Sequence, residues 1–160
     1  MIPGSQDNPA RIARKWLDDV SDTFFNGDFD GFAGAIALPF VMSTQSSRTV
    51  LTRLEDLRAG YDAWVQMIEG HHATHLIRTV REVQLVMPDM ITAIYDTELL
   101  QNAVRLMPGF TSWMMLRNVD GRWKADHLVS GVVNARYPFN VLRVGSDNAF
   151  QPDPPDADQT

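Results

Sequence analysis

Apolar residues recur at every fourth position through Ile12, Trp16, Val20 and Phe24, and Ala13 and Leu17 widen the stripe. That spacing predicts one buried face of an amphipathic helix. Asn8-Pro9 starts it, as N-cap and first helical residue. Asn26-Gly27 ends it as a left-handed C-terminal residue would. Asp28 or Asp30 can cap a second, short helix carrying Phe29, Phe32 and Ile36, which Pro39 stops. Pro39 to Thr44 reads as a strand, Gln45 to Arg48 as its turn, and Thr49 to Leu51 as a short extended piece. Thr52 and Glu55 have the spacing of a capping box. The third helix follows, with Leu54, Leu57, Tyr61, Trp64, Val65 and Ile68 on one face and Gly70 after its end.

From His72 the period falls to two. His72 to Val86 and Met90 to Gln101, rich in Val, Ile, Thr and Tyr, predict a hairpin closed by Met87-Pro88-Asp89. Phe110 to Val119 and Arg122 to Val133 predict a second, across Asp120-Gly121, a strong two-residue hairpin signal. Helices followed by long antiparallel strands make the chain an α+β domain. We divide it into a lead at 1–8, one domain at 9–144, and a tail at 145–160. The tail carries three prolines and four aspartates, a composition expected to remain disordered. Tyr137 to Leu142 is apolar enough to dock on the sheet or on a partner.

Composition narrows the function. The 160 residues carry a formal charge of −6, so there is no basic stripe to meet nucleic acid or anionic lipid. The longest nearly apolar run, Ala33 to Met42, is far short of the ~20 residues of a membrane span. The first residues lack the basic start and apolar core of a signal peptide, and the absence of cysteine fits a reducing compartment. The expectation is a cytoplasmic protein. Without cysteine there is no thiolate nucleophile, and there is no Gly-x-Ser-x-Gly elbow. His71-His72-Ala73-Thr74-His75 lacks the spacing of a zinc site, and no glycine-rich turn follows a strand as a phosphate loop would. No cofactor or metal is expected.

Helix, short helix, strand, short strand, helix and four long antiparallel strands form a distinctive order. Phe25-Asn26-Gly27-Asp28-Phe29-Asp30-Gly31-Phe32 joins the first two helices, and Asp120-Gly121-Arg122-Trp123-Lys124 opens the last strand. In these features residues 9 to 135 resemble the nuclear transport factor 2-like superfamily, in its SnoaL-like branch of small cyclases, isomerases and dehydratases. The resemblance implies a strongly bent sheet wrapped as a cone around the helices, a ligand pocket inside, and frequent dimers. The isomerase pattern is not matched, because the first helix has no tyrosine and Phe40, Met42 and Thr44 supply no carboxylate.

Strand pairing sorts the candidate chemistry, since opposed residues share a face. Counting back from Asp120-Gly121, Leu116 pairs with Ala125, Met114 with His127 and Ser112 with Val129. That apolar face, with Trp123 and Phe110, is expected to line the cavity. Trp113, Met115 and Leu128 then form an outer patch with Arg117, Lys124 and Asp126 as its rim, the expected homodimer interface. In the earlier hairpin Val83 faces Ile94, Leu85 faces Thr92, Arg81 faces Asp96 and Thr79 faces Glu98, with His75 on the same side. A bulge in that long strand would exchange the faces. On this register His75, Arg81, Asp96, Glu98 and His127 converge on one concave surface, with Tyr61 and Trp64 as walls and Met114 and Trp123 against the ligand. Asp96 and His127 are then the catalytic candidates, as a carboxylate and an imidazole in an apolar pocket suit proton abstraction. The plainer readings are an Arg81–Asp96 surface ion pair, a satisfied His127, and Tyr61 and Trp64 as core. The expected function is a pocket for a small apolar organic molecule, as a cofactor-free lyase, isomerase or cyclase. The alternatives are a non-catalytic ligand-binding or dimeric interaction module, or a structural small subunit of an oxygenase.

Overall fold

The computed structural model describes residues 8–44 and 47–131. Residues 1–7 of the lead, Val133, the segment Tyr137 to Leu142 and the tail at 145–160 lie outside the described residues, and so do Gln45 and Ser46 of the first turn.

Helix α1 spans Pro9–Asn26. Asn8 Oδ1 accepts from the backbone N–H groups of Ala10 at 2.8 Å and Arg11 at 3.2 Å, answering donors that a helix start leaves unpaired. Gly27 closes the helix at φ 67°, where a side chain would be strained. Asp28 is the aspartate that caps α2, Phe29–Gly34, through a 2.9 Å bond from Gly31 N–H. This helix ends before Ile36, which instead opens strand β1, Ile36–Ser43. Pro39, expected to stop the helix, sits within β1 after a cis Leu38–Pro39 bond. It lies in an irregular stretch where pairing with the neighbouring strand is interrupted, so no ladder donor is demanded of it.

Strand β2, Arg48–Leu51, leads into helix α3, Leu54–Gly70. The expected capping box does not form. The helix begins at Leu54 with Arg53 as its cap, and no side chain serves as an N-cap. Thr52 is therefore one residue too early, and Arg53 bridges to Asp56 at 3.3 Å and Glu55 at 3.9 Å instead.

The remaining strands are β3 (His75–Met87), β4 (Met90–Gln101), β5 (Val104–Arg105), β6 (Phe110–Val119) and β7 (Arg122–Ser130). Their order is β2-β1-β7-β6-β4-β3, with β5 on β4. The sheet curls around the helices without closing. It is mixed rather than wholly antiparallel, because β1 runs parallel to β7. Asp120 (φ 55°) and Gly121 (φ 88°) supply the two left-handed residues of a tight hairpin turn.

The core lies between the helices and the concave face. Leu17, Ile91, Leu99, Met107, Met114 and Leu116 are fully enclosed. Phe24 of α1 is the hub of an aromatic wedge, with ring centroids 5.6 Å from Phe32, 5.6 Å from Tyr61 and 5.4 Å from Trp64. Tyr61 donates its hydroxyl to the Thr23 carbonyl at 2.7 Å, tying α3 to α1. Among the described residues no helix is long and apolar enough to cross a membrane.

Phe24 and Leu54 hold equivalent places in the helical periodicity, yet Phe24 is enclosed and Leu54 is exposed. In denaturant unfolding, Phe24→Ala is expected to cost about 3–5 kcal/mol and Leu54→Ala no more than about 0.5 kcal/mol. Equal losses would contradict this placement of the core.

Candidate functional site

Side chains alternate across a strand, so one residue dropped from the pairing moves all that follow to the other face. At the β3–β4 turn Met87 stands opposite Met90, as the sequence predicts. Val86 and Arg81 then each drop out of register, so that Val83 meets Ala93 and Thr79 meets Asp96. In the second hairpin Leu116 meets Ala125 as expected, but Asp126 is skipped. His127 therefore pairs with Met115, and Met114 with Leu128.

These bulges overturn the expected convergence. On β4 it is Ile91, Ala93, Tyr95, Thr97 and Leu99 that are buried against the helices, which leaves Asp96 and Glu98 on the convex face. Asp96 accepts from Arg81 at 3.0 Å and from Thr111 at 2.7 Å. The Arg81–Asp96 pair is thus a surface ion pair. Glu98 pairs with Arg105 at 2.8 Å. His75 is exposed and bonded to its neighbour Thr74. His127 lies on the convex face, edge-on to Trp113 at 5.3 Å. Asp96 stands opposite Thr111 and His127 opposite Met115. That offset of four residues along β6 is roughly 13 Å. The two catalytic candidates neither face the cone nor meet.

The other candidates do lie on the concave side, in different places. Trp64 lines the cone cavity, Tyr61 belongs to the aromatic wedge and Met114 is fully buried core. Trp123 lines an open polar groove of about 550 Å³ beside α1.

The cone cavity itself is small, about 70 Å³. Trp16, Phe24, Phe32, Met42, Trp64 and Leu128 are among its walls, and among the described residues Arg78 is the one charged residue lining it. Arg78 arrives there through the Arg81 bulge, which turns Leu76, Arg78 and Val80 inward, opposite Leu99, Thr97 and Tyr95. Its guanidinium carbon is 5.8 Å from the ring centres of both Trp64 and Tyr95. Its Nε is enclosed and has no hydrogen-bond partner among the described residues. Burial pushes the Arg78 guanidinium below its usual pKa and the Tyr95 hydroxyl above its own.

A signal for this arrangement was present in the sequence. Along β4 one alternating set, Ile91, Ala93, Tyr95, Thr97 and Leu99, carries no charge, whereas the other holds both carboxylates. That asymmetry marks the inward face independently of register, and with it the inward course of Arg78.

No family model matches the chain, and no curated protein does. Solved structures do. A protein of unknown function from Mycobacterium tuberculosis superposes with a TM-score of 0.62 at 15% identity, over 92% of this chain and 86% of that one. An NTF2-like protein from Cytophaga hutchinsonii gives 0.59 at 12%, over 78% and 98%. A putative calcium/calmodulin-dependent protein kinase II association domain from Xanthomonas campestris gives 0.59 at 17%, over 82% and 91%. The chain has the nuclear transport factor 2-like fold. At such identities the likeness speaks for the NTF2-like fold alone and does not single out its SnoaL-like branch. Within that fold the concave face of the sheet holds the Arg78 cavity and the convex face holds Asp96.

The Thr111 hydrogen bond, and after it the Arg81 pair, hold the Asp96 carboxyl below its ordinary pKa. The stabilisation this gives is present above the ordinary aspartate pKa and is lost as the pH falls through the lowered one. In an NMR titration, Thr111→Val and Arg81→Gln are each expected to raise the Asp96 midpoint. An unchanged midpoint in both variants would contradict the assignment.

Proposed function

We propose that this NTF2-like domain is a binding module for a small, largely apolar molecule held inside the cone, without acid–base chemistry of its own. The observation that carries the reading is the cavity lining, which is aromatic and aliphatic apart from Arg78. A lyase, isomerase or cyclase of the kind the sequence suggests needs a group that takes up a proton beside its substrate. Arginine stays protonated and has no acceptor atom, so it can hold a ligand but cannot deprotonate one. The Tyr61 hydroxyl is committed to the Thr23 carbonyl, and the Asp96 and His127 candidates stand across the sheet. Trp16 and Trp64 in the walls provide a fluorescence readout. Titration with 3-methylbutanol is expected to give a saturable change in their emission. Leu128→Phe is expected to weaken it at least tenfold, at a stability cost of about 1–3 kcal/mol from overpacking. Identical responses in both proteins would count against the cavity as the binding site.

The convex face supports self-association as a second property. Cross-strand rows place Val50 beside Val41, His127 beside Met115, and Trp113 between Val129 and Ile94. Val50 and Val129 are exposed. Leu128, expected in this patch, points into the cone instead. Arg117 and Asp126 at the rim are paired at 3.0 Å, so a second copy would meet neutral rather than like charges. The neighbour from Xanthomonas campestris described as an association domain is consistent with such a surface. Light scattering at micromolar concentration is expected to give a dimer mass, and Trp113→Glu a monomer. A monomeric unmodified chain would remove the proposal.

A further inference from the structure

Two polar atoms on the concave face have no partner among the described residues, and they stand on residues directly opposite each other. Arg78 Nε and Thr97 Oγ1 are both enclosed and unbonded, and Arg78 faces Thr97 across the β3–β4 ladder. Such orphans are rare in folded proteins, and each calls for an occupant or a role. The ion pairs among the described residues engage Lys15, Arg53, Arg58, Arg81, Arg105 and Arg117, and none engages Arg78. The rings of Trp64 and Tyr95 lie 5.8 Å from the guanidinium. They offset part of the burial cost, since cation–π contact attracts a charge but accepts no hydrogen bond.

Resting on the cavity reading above, we propose that the molecule held in the cone is a short-chain or branched monocarboxylate, its carboxylate received by Arg78 and its hydrocarbon end enclosed by the aromatic and aliphatic walls. A carboxylate is the planar anion that a guanidinium binds through two parallel hydrogen bonds. The apolar lining argues against inorganic phosphate, whose further charge and oxygens would find no donors on those walls. Size limits the hydrocarbon end. The cavity of about 70 Å³ is roughly half of one known to admit benzene, so an isopropyl or isobutyl group suits it better than a ring.

The test uses the full chain and three probes of one shape: isovalerate, its amide isovaleramide, and 3-methylbutanol, with inorganic phosphate as the anion control. Calorimetric titration at neutral pH is expected to rank isovalerate at least tenfold tighter than either neutral probe, with phosphate silent. Arg78→Gln is expected to remove that preference, so that acid, amide and alcohol bind this variant alike. Arg78→Lys should retain part of it. Cooperative denaturant unfolding of each variant shows, independently of binding, that it is folded. If acid, amide and alcohol bind the unmodified chain alike, or Arg78→Gln keeps the acid preference, the anion assignment fails while the cavity reading stands. If no probe binds, both fail. If phosphate binds as well as isovalerate, the site is a general anion site and the carboxylate assignment fails.

Discussion

The alternation of side chains along a strand is the constraint on which this molecule turns. A sheet that curls around helices has one dry and one wet face, and every strand residue must go to one or the other. Skipping one residue reverses the assignment for the remainder of that strand. Here Val86, Arg81 and Asp126 are the skipped residues. The Arg81 bulge sends Arg78 into the cone, and the Asp126 bulge brings His127 out and Leu128 in. Both skipped charged residues then serve the convex face: Arg81 pairs with Asp96, and Asp126 with Arg117.

The cone interior follows from that distribution together with the aromatic wedge. Phe24, Phe32 and Trp64 stand among the walls that narrow the cavity to about 70 Å³. A guanidinium at the edge of such a space is costly to keep, because an unpaired charge away from water loses several kcal/mol of hydration. The wedge supplies one ring of the pair beside it, Trp64, and β4 supplies Tyr95. What the fold does not supply among the described residues is an acceptor. In this account the residue that weakens the empty fold is the residue that gives the cavity its selectivity.

Much of this was legible in the sequence wherever the signal is local. Asn8-Pro9 and Asn26-Gly27 bound α1, and Asp120-Gly121 sets its hairpin, because each depends on one or two backbone conformations. The concave course of Met114 and Leu116 followed from counting back from that turn. Registers several residues beyond a bulge were not legible, since a bulge leaves no composition of its own at Arg81 or Asp126. Thr52-x-x-Glu55 also misled: it has the capping spacing, but α3 begins at Leu54. The candidate site fared worst because it needed two long registers to be right at once. The charge pattern along β4, with Asp96 and Glu98 on one side only, marks the opposite set as the inward face.

The central claim is that Arg78 is a partly buried charge that faces the cone with its Nε closed off from water, and that no acceptor for it stands among the described residues. Arg78→Met keeps the length of the side chain and removes the charge. Denaturant unfolding of the ligand-free full chain measures the consequence. The account predicts that the variant is more stable than the unmodified protein by about 1 kcal/mol or more, as relief of an unpaired, partly buried charge implies. A loss of about 3 kcal/mol or more, the size expected on breaking a buried ion pair, would show that the chain itself satisfies Arg78 and would contradict the claim.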